Sequence, residues 1–161
     1  MNTQTKKSPA LDHFVTLYGD LLFDLCSSVL WSPVTGQNTV RKILKTLEKT
    51  SKKSSYQRYE RAWVLRVACD QLLAVAKRNG RRLTPSEQVM LDANLNTTAR
   101  LRQFDSYFHK LSTDDQILLL LKDKYGLPYF EISAALNTPE DSLKIKRQQA
   151  LRALEEWLWS Q

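Results

Sequence analysis

Apolar residues recur along the N-terminal half of the chain every three or four positions, which is the spacing of amphipathic helices. The pattern predicts helices over residues 11–31, 39–49 and 60–82. Pro33 and Gly36, in the stretch "WSPVTGQN", predict a break between the first two helices. Three helices of this length can enclose a small core, so we predict a helical domain over residues 10–82.

The next stretch has a weaker pattern. "LTPSEQ" predicts the start of a short helix, because Thr84 and Glu87 form a capping-box pair and Pro85 suits the first helical position. "NLNTT" at 94–98 interrupts that helix. We therefore predict an interdomain linker over residues 83–106. The alternative is that this stretch packs as an ordinary helix of a single domain.

Residues 107–161 have the pattern of helix, turn, helix, turn and helix. Ser112 or Thr113 is expected to cap the first of these helices, and Gly126 and Pro128 are expected to end it. No segment predicts a strand. The expected fold class is therefore all-α, with two small helical domains joined by a linker.

The stretch "EISAALNTPEDSLKIKRQQALRAL" has the pattern of a helix-turn-helix. A short helix over residues 129–136 is apolar on its inner face, and Asn137 tolerates the left-handed conformation of a tight turn. Thr138 is expected to cap the following helix and Pro139 to start it. Residues 139–161 carry four basic and four acidic side chains. This balance keeps open the alternative of a helical corner without a ligand.

Positive charge is concentrated in one quarter of the chain. The whole sequence has 24 basic and 17 acidic residues, a net charge of +7. Residues 41–82 alone hold 13 basic and 3 acidic residues, a net charge of +10. Such a block attracts polyanions and speeds their association, although a solvated basic face without a partner has the same composition.

The sequence offers no sign of enzyme chemistry or of a membrane segment. Cys26 and Cys69 lie within apolar helical patterns, so we expect two buried free thiols, as in a reducing cytoplasm. The longest apolar run, residues 117–121, is too short to span a bilayer. His13 and His109 are isolated, and no nucleophile motif or metal-ligand spacing occurs. We expect a cytoplasmic protein without enzymatic activity, cofactor, metal or small-molecule substrate.

Several motifs together resemble a known family. They are "YGLPYFEIS" at 125–133, "LN" at 136–137, "SLKIK" at 142–146 and "AWVLRVACDQLLAVAKR" at 62–78. The first three resemble region four of bacterial sigma factors, especially the extracytoplasmic-function group. The last resembles a helix of region two, and "FVTLYGDLLFDLCSSVL" resembles the helix that opens it. The order of region two, linker and region four is reproduced over about 150 of the 161 residues.

The resemblance implies a transcription initiation factor that binds RNA polymerase core and promoter DNA, with an anti-sigma factor as a possible further partner. In region four, the residues that fall on or beside the positions reading the −35 element are Ser142, Lys144, Lys146 and Arg147. In region two, the cations and aromatic rings suited to the melted −10 strand are Lys52, Lys53, Tyr56, Arg58, Tyr59, Arg61 and Arg66. Trp63 is expected to be a core residue instead.

The sequence departs from the family on the second helix, where the family usually carries acids at its polymerase contact. The basic residues Arg41, Lys42 and Lys45 stand there instead, and the resemblance assigns the polymerase contact to them. Two other functions stay open. One is a stand-alone helix-turn-helix regulator, and the other is a protein-interaction module that does not read a promoter.

Overall fold

The computed structural model describes residues 8–52, 59–79 and 99–160. All regular structure in these ranges is helical, which confirms the all-α prediction. The helices are α1 (Pro9–Leu30), α2 (Pro33–Ser51), α3 (Glu60–Asn79), α4 (Ala99–Phe108), α5 (Thr113–Leu119), α6 (Tyr129–Leu136) and α7 (Glu140–Trp159). Within the described ranges, no helix is long and apolar enough to cross a membrane.

The helices α1 and α2 form a hairpin with almost no loop. Trp31 ends α1 in the left-handed conformation, with φ of 54°, and Ser32 caps α2 by accepting a hydrogen bond from the Thr35 N–H at 3.0 Å. The predicted break between the two helices is confirmed at Trp31 and Ser32, but it is shorter than predicted, and α2 begins six residues before the predicted start at residue 39. The backbone N–H of the first helical residue has no partner within the helix, so proline, which lacks an N–H, fits that position. Pro33 therefore starts the helix.

Gly36 lies where α2 crosses α1. A Cβ atom at Gly36 would lie 2.8 Å from the Ser27 Cα and 2.9 Å from the Ser27 N. These are backbone atoms of α1, so they cannot move aside without shifting the helix. Gly36 therefore allows the two helices to approach closely, and it lies inside α2 instead of in the predicted break between the helices.

Gly36→Ala is expected to lower the free energy of unfolding by about 1–3 kcal/mol, the usual cost of overpacking. Gly19→Ala is the matched control, because the nearest atom to its added Cβ would be Val15 Cγ1 at an ordinary 3.8 Å. That change is expected to stabilise the protein by up to about 1 kcal/mol through helix propensity. Urea unfolding measures both, and an equal effect of the two substitutions would contradict the close approach at Gly36.

The main core is shared by α1, α2, α3, α5, α6 and α7. Its fully buried large side chains include Phe14, Leu22, Leu25, Ile43, Leu47, Leu65, Leu72, Ile117, Leu118, Leu121, Ile132 and Leu143. Trp63 packs against this core, with its ring centroid 5.8 Å from that of Phe14, as predicted. Cys26 and Cys69 are buried free thiols, also as predicted, and burial raises the pKa of Cys26 to about 12.

Helices α4 to α7 form the C-terminal part of the structure. The helix α4 occupies the end of the stretch predicted as a linker, and Tyr107 on it contacts Trp157 of α7. Ser112 caps α5, accepting a hydrogen bond from the Asp115 N–H at 3.2 Å. After Leu119 the helix continues as a π-helical turn, Leu120–Lys124. The Thr84 capping box lies outside the described residues, and the domain boundaries stay a prediction.

Candidate nucleic-acid interface

The helices α6 and α7 are joined by a three-residue connection. Asn137 has φ of 50° and ψ of 46°, the left-handed conformation that the sequence predicts for it. The prediction that Thr138 caps α7 is wrong: α7 begins after Pro139, and the Thr138 hydroxyl donates back to the Leu136 carbonyl at 3.0 Å. Buried Leu143 and Ile132 fix α7 and α6 to the core. The connection therefore holds α7 on the surface at a fixed angle to α6.

The four predicted reading residues on α7 differ in their surroundings. Lys144 and Lys146 are exposed, whereas Ser142 is half-buried. The Arg147 guanidinium binds Asp123 on the π-helical turn through contacts of 2.9 Å from Nε and 2.5 Å from Nη2. These hydrogen bonds to the Asp123 carboxylate raise the pKa of Arg147. In this conformation Arg147 positions α7 against the turn, and the two lysines present their charge to solvent.

A second cation lies beside Lys144. The Lys144 Nζ is 5.6 Å from the centroid of the Tyr129 ring, and the Lys122 Nζ is 4.5 Å from the same centroid. Both distances are in the range of cation–π attraction. Two ammonium groups therefore lie near the Tyr129 ring at the N-terminus of α6. The residues predicted from the sequence for this surface do not include Lys122.

The outermost ridge of α7 is formed by residues opposite its buried side. Leu143, Ala150 and Leu154 face the core, so positions about half a turn away point to solvent. These outward positions are Asp141, Ile145, Gln148 and Arg152, all of which are exposed. Ile145 is 57% exposed despite being a large aliphatic residue. The ridge combines the hydrogen-bonding amide of Gln148 with the apolar side chain of Ile145. Lys144 lies on one flank of the ridge and Lys146 on the other.

The predicted residues for single-stranded DNA lie near the start of α3. Tyr59 is 58% exposed, Arg61 and Arg66 follow on α3, and Lys52 is exposed after the end of α2. The other three residues of that set, Lys53, Tyr56 and Arg58, lie outside the described residues.

Arg61 forms a two-pronged ion pair with α6. Its Nε and Nη2 atoms each donate to a Glu131 carboxylate oxygen at 2.6 Å. Glu131 is only 8% exposed, whereas the Arg61 side chain is 48% exposed. The Glu131 hydrogen bonds raise the pKa of Arg61. A short distance along α3, Arg66 Nη1 donates to the Ala134 carbonyl at 3.3 Å. Two predicted nucleic-acid cations are therefore engaged by α6.

This ion pair lies in a groove between α1, α3 and α6. The groove has a volume of about 620 Å³, and Arg61 and Glu131 are among its lining residues. Three exposed apolar or aromatic side chains also line it, namely Leu17, Tyr59 and Phe130. A cation beside an exposed aromatic ring is the combination that binds an unpaired base and its phosphate.

A second link joins α1 to the turn after α5. Asp24 on α1 accepts a hydrogen bond from the Tyr125 hydroxyl. It also forms an ion pair with Lys124, whose Nζ lies 2.8 Å from the Asp24 Oδ2. Burial raises the pKa of Asp24, but the hydrogen bonds from Lys124 and Tyr125 outweigh it and bring the pKa below its usual value. Because this pKa is lowered in the folded state, the link stabilises the fold at neutral pH and is lost on acidification through that pKa.

The predicted polymerase contacts lie on α2. Arg41, Lys42 and Lys45 are exposed on the side of the helix opposite the buried Ile43 and Leu47. The described residues contain no group of His, Cys, Asp and Glu side chains that could bind a metal ion.

Similar structures place this arrangement among known folds. The sequence matches no protein-family model and no curated protein. The structure is similar to that of the sigma factor RpoE from Bartonella quintana, solved in complex with the anti-sigma factor NepR. The TM-score is 0.71 at 15% identity, and the match covers 91% of this chain and 95% of that one. The chain has a sigma-factor-like fold.

Within this sigma-like fold, sequence reasoning missed the acids that position the cations. Glu131 pairs with Arg61, and Asp123 pairs with Arg147. The signal for Glu131 was available, because it is the single charged residue in the mostly apolar "YFEISAAL". A carboxylate in such a helix is expected to find a cation when it is buried. The signal for Asp123 was absent, since it follows from the geometry of the π-helical turn.

Proposed function

We propose that the chain is a sigma-like transcription initiation factor that binds RNA polymerase core and directs it to promoter DNA. The observation that carries this proposal is the sigma-factor-like fold over 91% of the chain, combined with an exposed, lysine-flanked ridge on α7. The low identity of that match limits its support to the fold, so the argument for DNA rests on the chemistry of the exposed residues.

The helix α7 is the proposed reader of duplex DNA in the major groove. Lys144 and Lys146, on the two flanks of the outward ridge, are suited to the phosphates on either side of the groove. Gln148 on the ridge is suited to an adenine, whose N6 and N7 match its amide, and Ile145 is suited to a thymine methyl group. Of the set implied by the resemblance, Ser142 and Arg147 then serve as supporting contacts.

The groove containing Tyr59 and Arg61 is the proposed site for an unpaired strand. An unpaired base would stack on the Tyr59 ring, and a phosphate would take the place of the Glu131 carboxylate beside Arg61. Binding there requires Glu131 to release Arg61, so the packing of α3 on α6 competes with the strand. The factor would therefore bind a single strand weakly until this packing opens.

Glu131→Gln tests that competition. The substitution keeps the side-chain volume but removes the charge, so Arg61 becomes available to a phosphate. The affinity for a single-stranded oligonucleotide, measured by fluorescence anisotropy, is expected to rise severalfold. Asp70→Asn is the control, since it removes one negative charge from the exposed Arg66 pair on the same helix. An equal rise in both variants would mean that overall charge, and not the release of Arg61, is responsible.

A polymerase contact through Arg41, Lys42 and Lys45 and an anti-sigma partner are parts of the same proposal. Both come from the resemblance, and the similar structure supports the second, because that sigma factor was solved with its anti-sigma factor.

The experiment that tests the function is co-elution of the full chain with purified bacterial core RNA polymerase on a sizing column. Stable co-elution is expected. Lys144→Ala with Lys146→Ala is the control variant, and it is expected to co-elute equally, since α7 is assigned to DNA. A chain that binds duplex DNA but never co-elutes with polymerase would contradict the proposal.

Binding of duplex DNA without co-elution with polymerase would favour a stand-alone DNA-binding regulator. One observation in the structure supports such a regulator. Arg61 and Arg66 are engaged by α6 while the lysines of α7 are exposed. In this conformation the duplex-reading helix is accessible and the single-strand groove is occupied. A regulator that used only α7 could bind duplex DNA in this conformation, without a conformational change.

A further inference from the structure

The helix α2 and its C-terminal cap residue carry a stripe of five exposed cations along the outer side of the helix. We call it the basic stripe, and its members are Arg41, Lys42, Lys45, Lys49 and Lys52. They lie opposite the buried side of the helix, which is formed by Gly36, Thr39, Val40, Ile43 and Leu47. At ~1.5 Å of rise per residue, the stripe extends roughly 16 Å along the helix axis.

The basic stripe is rigidly mounted. Ile43 and Leu47 are completely buried in the main core, on the inner side of the same turns. From the neighbouring helix α3, Gln71 donates a hydrogen bond to the Thr46 hydroxyl at 2.6 Å. The backbone positions that carry the cations therefore keep a fixed spacing, so a ligand that binds them does not have to order the backbone.

The positive charge of the stripe is not neutralised locally. Within residues 8–52, 59–79 and 99–160, no carboxylate forms an ion pair with any of the five cations. Glu48 is the single acid on α2; it is half-buried and lies one helical turn from Lys45 and from Lys52. A row of like charges without counter-charges repels itself, and this repulsion is relieved by a polyanion.

The composition of the stripe distinguishes among polyanionic partners. A membrane-binding helix needs an apolar side free to insert into lipid, but the apolar side of α2 is in the core. Protein interfaces are depleted of lysine and usually include an apolar centre. The exposed apolar residue of α2, Val34, lies at the helix start, away from the stripe. Lysine-rich surfaces without apolar residues are typical of contacts with nucleic-acid phosphates.

We propose that the basic stripe of α2 binds the phosphate backbone of duplex DNA without reading its sequence. Four of the five cations are lysines, which bind phosphates as point charges and have no planar group for recognising a base edge. The stripe would add affinity for DNA to any sequence preference of α7. Arg41, Lys42 and Lys45 are also the residues to which the resemblance assigns a polymerase contact, so the two assignments compete for this surface, and the test below separates them.

The test measures the salt dependence of binding to a labelled duplex of arbitrary sequence, using the full chain and fluorescence anisotropy. All proteins carry Lys144→Ala and Lys146→Ala, so that α7 contributes little. Lys45→Gln with Lys49→Gln is the test variant. Lys77→Gln with Arg78→Gln removes the same charge from exposed positions at the end of α3 and is the matched control.

A plot of log affinity against log salt is expected to become shallower by ~1.8 in the test variant, which is ~0.9 for each lost phosphate contact. The control is expected to keep the slope of its parent. Thermal unfolding of both variants should match the parent, because the four side chains are exposed. Equal slopes for the test variant and its control would overturn the proposal. So would unchanged DNA binding with loss of polymerase co-elution, which would make the stripe a protein contact.

Discussion

Replacing Arg61 by alanine is expected to lower the free energy of unfolding by about 3 kcal/mol. Removing one partner of a buried ion pair costs about 3–5 kcal/mol because the remaining charge stays buried without compensation. Glu131 would be that charge, since it is 8% exposed and receives both Arg61 hydrogen bonds. The lower end of the range applies because Arg61 is itself half-exposed.

Urea unfolding of the full chain measures this loss. Asp70→Ala on the same helix is the control, because it removes only the exposed Arg66–Asp70 pair, which spans 3.3 Å, and leaves the Arg66 contact with Ala134 in place. Exposed pairs contribute about 0–1 kcal/mol, so the control should lose no more than that. Adding Glu131→Gln to Arg61→Ala should recover part of the stability, since it removes the buried charge. Similar losses for Arg61→Ala and Asp70→Ala would show that the Glu131 pair does not hold α6 on α3.

Lys144→Ala combined with Lys146→Ala is expected to weaken binding to the preferred duplex roughly 100-fold. Each lysine is assigned one charge-assisted phosphate contact, and two such contacts together contribute ~3 kcal/mol. The loss should be similar for every duplex sequence, because phosphate contacts carry no sequence information. The preferred duplex is first selected from a random pool, and affinities are then compared at a fixed salt concentration.

Gln148→Ala is the contrasting substitution on the same helix. It is expected to weaken the free energy of binding to the preferred duplex by ~1–3 kcal/mol and to relax the sequence preference at one base pair. Binding to unrelated duplexes is expected to stay unchanged. Neither variant should unfold, since all three side chains are exposed. Unchanged duplex binding by the lysine variant would remove α7 from the DNA interface.

The elements that could be predicted from the sequence are those specified by local signals. Ser112 caps α5, Asn137 adopts the left-handed conformation, and α6 covers the predicted range. Each depends on a few neighbouring residues. The start of α2 could not be predicted in the same way, because Pro33 fits both a turn and a first helical position. The choice depends on Ser32 as a cap and on Gly36 fitting against α1.

In the candidate site, too, local signals could be predicted from the sequence and contacts between distant segments could not. The exposed lysines of α7 follow from helical spacing, so their position could be predicted. The partners of Arg61 and Arg147 could not, because Glu131 is 70 residues from Arg61 and Asp123 is 24 residues from Arg147. Such pairs arise from the packing of α3 on α6 and from the π-helical turn. They decide which cations are accessible, and this determines what the site can bind in a given conformation.

The central claim is that this sigma-like chain directs polymerase to promoters. The most direct measurement is run-off transcription with core RNA polymerase and genomic DNA from the organism that encodes the chain, followed by mapping of the transcript starts. The account predicts discrete new start sites that appear with the added chain and disappear with the Lys144→Ala, Lys146→Ala variant. Polymerase that binds the chain but starts at no new site would contradict it.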